Sequence, residues 1–237
     1  MYKKGFTLSE VLITLGVIGV VVAMTLPSVI NKFRAKALET SFKKSYSNIN
    51  KAFLNTKIEL ASDSVYKDFG RYNNVTGYSD FYEFQNVFYK NLVAVKIYDG
   101  EYQKRTYNGG QLLCETYGYC PNPIYILSDG SSVETNVNSQ YIWLNVDTNG
   151  PLKGPNRYGF DIFAFYINNN NDCIILPKME KLYTQEELNE MTNPGLKGMP
   201  CSKKSNQGAN GVGCAWYAFN NVNPDDETET YWDNLPR

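Results

Sequence analysis

The chain of 237 residues contains no histidine. That absence removes the Ser-His-Asp and Cys-His nucleophile systems and histidine-ligated catalytic zinc together, since each needs an imidazole to move a proton or hold the metal. Only carboxylate, lysine and tyrosine chemistry remains for general acid–base work, so the sequence does not point to an enzyme. Net charge is nearly absent too, at −1, and no global field favours nucleic acid or an acidic surface. Cysteine is sparse, five residues with no CxxC pair, which argues against a zinc site. The length allows one membrane helix and one head domain with its own core.

What is present is a long apolar run near the amino terminus. Residues 11–26, VLITLGVIGVVVAMTL, carry no charge and only two hydroxyls, Thr14 and Thr25. With Phe6, Thr7 and Leu8 they approach the roughly 20 residues that cross a bilayer. In lipid the backbone polar groups are satisfied only inside a helix, so helix is expected despite the β-branched content. Glu10 stands at the start of the run, where an unpaired carboxylate costs on the order of a few kcal/mol. No basic residue follows it within the run, which predicts a cation supplied from elsewhere at that depth; the plainer alternative is a wet carboxylate at headgroup level. Pro27 removes a helix hydrogen bond downstream of Gly16 and Gly19, predicting a bend or local melting. A secretory signal peptide competes for this segment, but VVAMTLPSV is a poor small-x-small cleavage site. The flanking charges, Lys3 and Lys4 against Lys32, Arg34 and Lys36, leave orientation open.

The stretch Lys3-Lys4-Gly5-Phe6-Thr7-Leu8-Ser9-Glu10, with the apolar run and Pro27, resembles the class III signal of type IV pilins and type II secretion pseudopilins. The resemblance covers about the first 30 residues. It implies that a prepilin peptidase cuts after Gly5 and methylates the new amine of Phe6. It also implies that Glu10 pairs with the amino terminus of a neighbouring subunit, and that the bend near Pro27 lets the helix pack. The expected protein is a structural subunit of a type II secretion pseudopilus or type IV pilus. Its expected partners are the peptidase, other pilin subunits in a helical filament and an inner-membrane assembly platform. It would sit in the inner membrane as a single span with the head outside the cytoplasm. The expected division is leader 1–5, membrane and filament-core helix 6–30, amphipathic continuation 31–60 and head 61–237. Two alternatives stand beside it: a minor or tip pilin whose head binds a secreted substrate, a surface or DNA, and a lone membrane-anchored enzyme or sensor.

Beyond Pro27, Phe33, Ala37, Leu38, Phe42, Tyr46, Ile49 and Phe53 recur at threes and fours, predicting a helix to about residue 60 whose stripe packs on a sheet. Residues 61–79 read as a loop and 80–91 as a short helix. The period then becomes two: strands are predicted at 92–98, 123–128, 132–137, 141–147, 160–167 and 172–177, with a hairpin turn at Asp129-Gly130. A further helix at 184–191, a loop at 194–213 and a last strand at 214–221 complete an α+β fold, pilin-like, with a long amino-terminal helix packed on an antiparallel sheet. The lysines of residues 32–57 and the acidic residues 225–233 are expected to attract each other, within or between subunits. Lys197, Lys203 and Lys204 lack interleaved stacking residues and read as loop solvation rather than a nucleic-acid surface.

Cys114 with Cys120 and Cys201 with Cys214 are close pairs in loop-rich surroundings, expected disulfides that fit an oxidising compartment. Cys173, in DCIILP, reads as a free buried thiol. The loop from Asp147 to Asp161 offers Asp147, Asn149 and Asp161 as oxygen ligands for calcium. However, Pro151 departs from the EF-hand pattern, and turn chemistry alone explains DTNG and GPNRYG. The segment resembles the D-x-N-G…P-N…G-x-D stretch of pilin-like secretion proteins, some of which bind calcium there. Asp147 and Asp161 are expected to anchor this loop, with or without calcium; no other cofactor is implied.

Overall fold

A helix able to satisfy its own backbone in lipid is what the apolar run of residues 11–26 needs, and α1 (Leu8–Glu59) is one continuous α-helix. The computed structural model describes residues 5, 7–70, 79–111, 123–137, 141–168, 173–177 and 200–236. They divide into two compact units, 1–37 and 38–237.

In the first unit every residue from Leu8 to Arg34 is exposed, including the whole apolar run. By length and composition α1 is able to cross a membrane. Its two hydroxyls are returned to the helix itself, Thr14 Oγ1 donating to the Val11 carbonyl at 2.9 Å and Thr25 Oγ1 to that of Val21 at 2.9 Å. The predicted melting at Pro27 is not found: the helix runs through it, and the cost is confined to the Ala23 carbonyl, which loses its i+4 donor.

In the second unit the last turns of α1 bury Phe42, Ser45, Ile49, Ala52, Phe53 and Thr56, a stripe at helical spacing. The stripe begins later than the sequence period suggests, since Phe33 is 72 % exposed; it lies in the other unit, on the apolar side of the chain. Two helices follow: α2 (Val65–Phe69), inside the stretch expected to be loop, and α3 (Ser79–Asn91). The helix α2 forms because Val65 and Tyr66 bury, a tertiary gain that five polar-flanked residues do not announce.

The sheet is a five-stranded antiparallel meander in chain order: β1 (Ala94–Tyr98), β2 (Ile124–Leu127), β3 (Ser132–Val137), β4 (Tyr141–Asp147) and β5 (Ile162–Asn168). Alternation divides its side chains between two buried faces. On one, Val146, Leu144 and Ile142 stand opposite Phe163, Phe165 and Ile167, and Phe42 of α1 meets Phe163 with ring centroids 4.4 Å apart. Tyr89 of α3 stacks on Tyr125 of β2 at 3.7 Å and its hydroxyl meets Thr135 Oγ1 at 2.7 Å. On the other face Trp143, Ile162 and Ala164 pack with Tyr158, Ala209 and Val212. The outer layer is here irregular chain rather than helix.

Three further expectations are corrected. Residues 214–221 are not a strand: Cys214–Asn220 form a helix, α4, closed by Asn221 in the left-handed conformation at φ 54°. Its buried residues Cys214, Ala215, Tyr217 and Ala218 follow helical spacing, which a short apolar run does not distinguish from a buried strand. The stretch 172–177 contributes one bridge, Ile175 to Tyr166, rather than a strand. Cys173 is free and exposed, not buried. A short 3-10 turn, Trp232–Asn234, ends the described chain. The helix expected at 184–191 lies outside the described residues.

Candidate functional site

The sequence singles out two places, the first turn of α1 and the β4–β5 loop. At the first, Gly5 is exposed and Phe6 lies outside the described residues. Helix α1 starts at Leu8, and its first amides need acceptors. Thr7 Oγ1 accepts from the Glu10 amide at 3.2 Å, while one oxygen of Glu10, Oε2, accepts from the Thr7 amide and the Thr7 hydroxyl, each at 2.8 Å. This reciprocal pair is a capping box. Its T-x-x-E signature is Thr7-Leu8-Ser9-Glu10 in the sequence. Glu10 is thus held by Thr7, exposed at the head of an exposed apolar helix, and among the described residues no cation pairs with it.

At the second place, Asp147 ends β4 and Asp161 immediately precedes β5, so the loop they bound begins and ends on one pair of strands. Asp147 Oδ1 accepts from the amides of Asn149 (3.1 Å) and Gly150 (2.9 Å), and Oδ2 accepts from the Tyr102 hydroxyl at 2.7 Å. Asp161 accepts from the amides of Arg157 (2.7 Å, Oδ1) and Asn156 (2.9 Å, Oδ2), and its own carbonyl takes the Thr148 amide at 2.8 Å. Gly150, at φ +84°, lies against the Gly130 carbonyl, so a side chain there would collide with the β2–β3 turn. Burial and then the charge of Asp161 push the Asp147 carboxyl up to about 6, and burial likewise raises that of Asp161.

A calcium ion would place its own demand on this donor set. All four carboxylate oxygens face N–H or O–H donors, whereas calcium needs six to eight oxygens with their lone pairs turned toward it. The two carboxylates therefore serve as turn caps, while the buried side-chain carbonyls of Asn149 and Asn156 accept no hydrogen bond among the described residues.

Of the cysteines, Cys201 and Cys214 form a disulfide with Cα atoms 5.0 Å apart, while Cys114 and Cys120 lie outside the described residues. Two lysines of α1 pair with carboxylates, Lys43 with Glu39 at 2.6 Å and Lys44 with Asp129 of the β2–β3 turn at 2.8 Å. In the acidic tail, Asp225 accepts from Ser202 Oγ and the Lys203 amide, tying down the loop that carries Lys203 and Lys204.

Residues 1–26 match the family described as the prokaryotic N-terminal methylation motif, the type IV pilin/pseudopilin signature. The chain joins that signature to a long apolar helix and a five-stranded antiparallel sheet, an α+β architecture that is pilin-like. Among curated proteins and among solved structures, none matches the chain.

Proposed function

We propose that the chain is a structural subunit of a pilin-type filament, either a type II secretion pseudopilus or a type IV pilus. In this reading a prepilin peptidase cuts after Gly5 and methylates Phe6, and the subunit waits in the membrane as a single span with its head outside the cytoplasm. The observation that carries it is the first turn of α1: a carboxylate oriented by Thr7, with no cation of its own among the described residues, at the head of a fully exposed apolar helix inside the matched motif. Cleavage after Gly5 creates an ammonium at Phe6. A neighbour's Phe6 ammonium, brought to Glu10 in a low-dielectric helix bundle, satisfies a charge that is costly there alone. The Ala23 carbonyl, left without its donor by Pro27, gives the helix a compliant point at which neighbours pack.

Glu10→Ala is expected to leave cleavage and membrane insertion intact while reducing incorporation into filaments at least tenfold, scored by fractionating sheared or cross-linked filaments from membranes. Incorporation at the wild-type level overturns the pairing role. Immunolabelling of cells for long surface fibres then separates a pilus from a short pseudopilus.

A further inference from the structure

The second face of the sheet contains a polar trio that packing alone does not require. Glu134 of β3 and Asn145 of β4 are directly opposed across the ladder. Lys104 reaches them from the segment that crosses this face. The three are between 4 % and 5 % exposed. The backbone just after Lys104 is fixed: the Arg105 amide donates to the Asn156 carbonyl at 2.8 Å, the Tyr158 amide to the Arg105 carbonyl at 2.9 Å, and the Tyr107 amide to the Asn210 carbonyl at 2.8 Å. One carboxylate oxygen, Glu134 Oε1, contacts both nitrogens, accepting from Lys104 Nζ and from Asn145 Nδ2, the latter at 2.8 Å. The carbonyl oxygen of the same amide, Asn145 Oδ1, is buried and accepts no hydrogen bond among the described residues. The trio borders the apolar cluster of Trp143, Tyr158 and Ile162, and it lines a small cavity of about 10 Å³ together with Tyr102, Ser132 and Asp147.

As a salt bridge this arrangement is a poor one, because burying two ions seldom stabilises a fold and an unpaired buried carbonyl adds to the cost. As a reaction centre it is well composed. We propose that Lys104 and Asn145 become joined by an intramolecular amide bond, with Glu134 as the proton carrier. In the first step the Glu134 carboxylate, in contact with Lys104 Nζ, takes one proton from it and frees the amine lone pair. The amine lone pair attacks Asn145 Cγ, the Nζ–Cγ bond forms, and the electron pair of the carbonyl moves onto Oδ1. The pair then returns as the Cγ–Nδ2 bond breaks, while Glu134 gives a proton to Nδ2 and recovers the one released from Nζ. The products are one secondary amide and one ammonia, with no oxidant, metal or cofactor consumed. A single oxygen touching both the attacking and the departing nitrogen is the geometry such a transfer needs. The cavity has about the room of one water-sized molecule, sufficient for the departing ammonia. The reaction occurs once per chain and stitches the crossing segment onto the middle of the sheet.

The test is mass spectrometry of the full chain purified in detergent. The wild type is expected to fall short of its sequence mass by one ammonia, after allowance for amino-terminal processing and disulfides. Its tryptic map is expected to contain a branched peptide joining Lys104 to Asn145 with no cleavage after Lys104. Glu134→Gln, which preserves shape, is expected to show full mass and no branched peptide, as is Lys104→Arg. A folded wild type with full mass and ordinary cleavage at Lys104 overturns the proposal, and a branched peptide persisting in Glu134→Gln overturns the role of Glu134. If the variants do not fold, the wild-type map decides alone.

Discussion

At the scale of single residues, Asp147 is a side chain whose environment moves its titration toward neutral pH. Its carboxyl is pushed up to about 6 by burial and by Asp161, whereas in the unfolded chain it releases its proton near the ordinary aspartate value of about 4. Between these values the native state holds the extra proton, so the contribution of this group is complete below about pH 4 and is lost as pH rises through 6. The sign is opposite to that of a salt-bridged carboxylate, and the size is on the order of 2–3 kcal/mol. The unfolding free energy of Asp147→Asn minus that of the wild type is therefore expected to grow by about this amount between pH 4 and 7, measured by urea titration; a constant difference refutes it. Asparagine retains an acceptor for the Asn149 and Gly150 amides, so the loop itself persists. The same crowding of N–H donors predicts that calcium and a chelator leave the melting temperature unchanged. A rise with calcium would instead place an ion at the buried Asn149 and Asn156 side-chain carbonyls, which accept no hydrogen bond among the described residues.

At the scale of elements, α1 shows what one helix can read as in two solvents. Its first part is exposed throughout and its last part carries a buried stripe, and both were legible because a charge-free run and a 3.6 period are strong signals. Four strands were legible nearly to the residue, since Ser132–Val137 and Tyr141–Asp147 alternate cleanly around turn residues and β2 and β5 are flanked by Asp129-Gly130 and Gly159. Helix α4 was not, because CAWYAFNN is equally apolar on either period and its choice of helix depends on Cys214 being tied to Cys201 and on where Ala215 and Ala218 find cover. The Lys104–Glu134–Asn145 trio was also invisible: Glu134 and Asn145 are 11 residues apart and face each other only through strand register, and Lys104 arrives from an irregular segment. For the β4–β5 loop the residues were legible and the chemistry only half so, since spacing shows where oxygens converge but not that amides have already claimed them.

At the scale of the molecule, the boundary between the two compact units falls inside α1, after Ala37. Phe42, Ile49 and Phe53, each no more than 2 % exposed, belong to the core of the head. Losing one such aromatic costs about 3–5 kcal/mol, comparable to much of a domain's net stability. A fragment 38–237 is therefore expected to be soluble and to melt cooperatively, while a fragment 61–237 is expected to be molten or insoluble. Circular dichroism of the two distinguishes them, and equal cooperativity would show that the helix is dispensable to the core. Among the described residues the first unit offers no comparable core of its own, its apolar helix being exposed from Leu8 to Arg34.

The strand order has a consequence for how such a head is made. In the sequence β1-β2-β3-β4-β5 each strand pairs with the one synthesised just before it, so none has to slide between two strands already joined. A chain anchored by its amino terminus and threaded across a membrane can therefore zip its sheet in the order in which residues emerge, α1 first as a floor and each new strand laid along the last. The final residues to arrive are the covers: the disulfide-tied loop, α4, and Tyr231 and Trp232, whose rings close over Tyr107 and Phe163. Each strand of the head after β1 therefore finds its partner already in place.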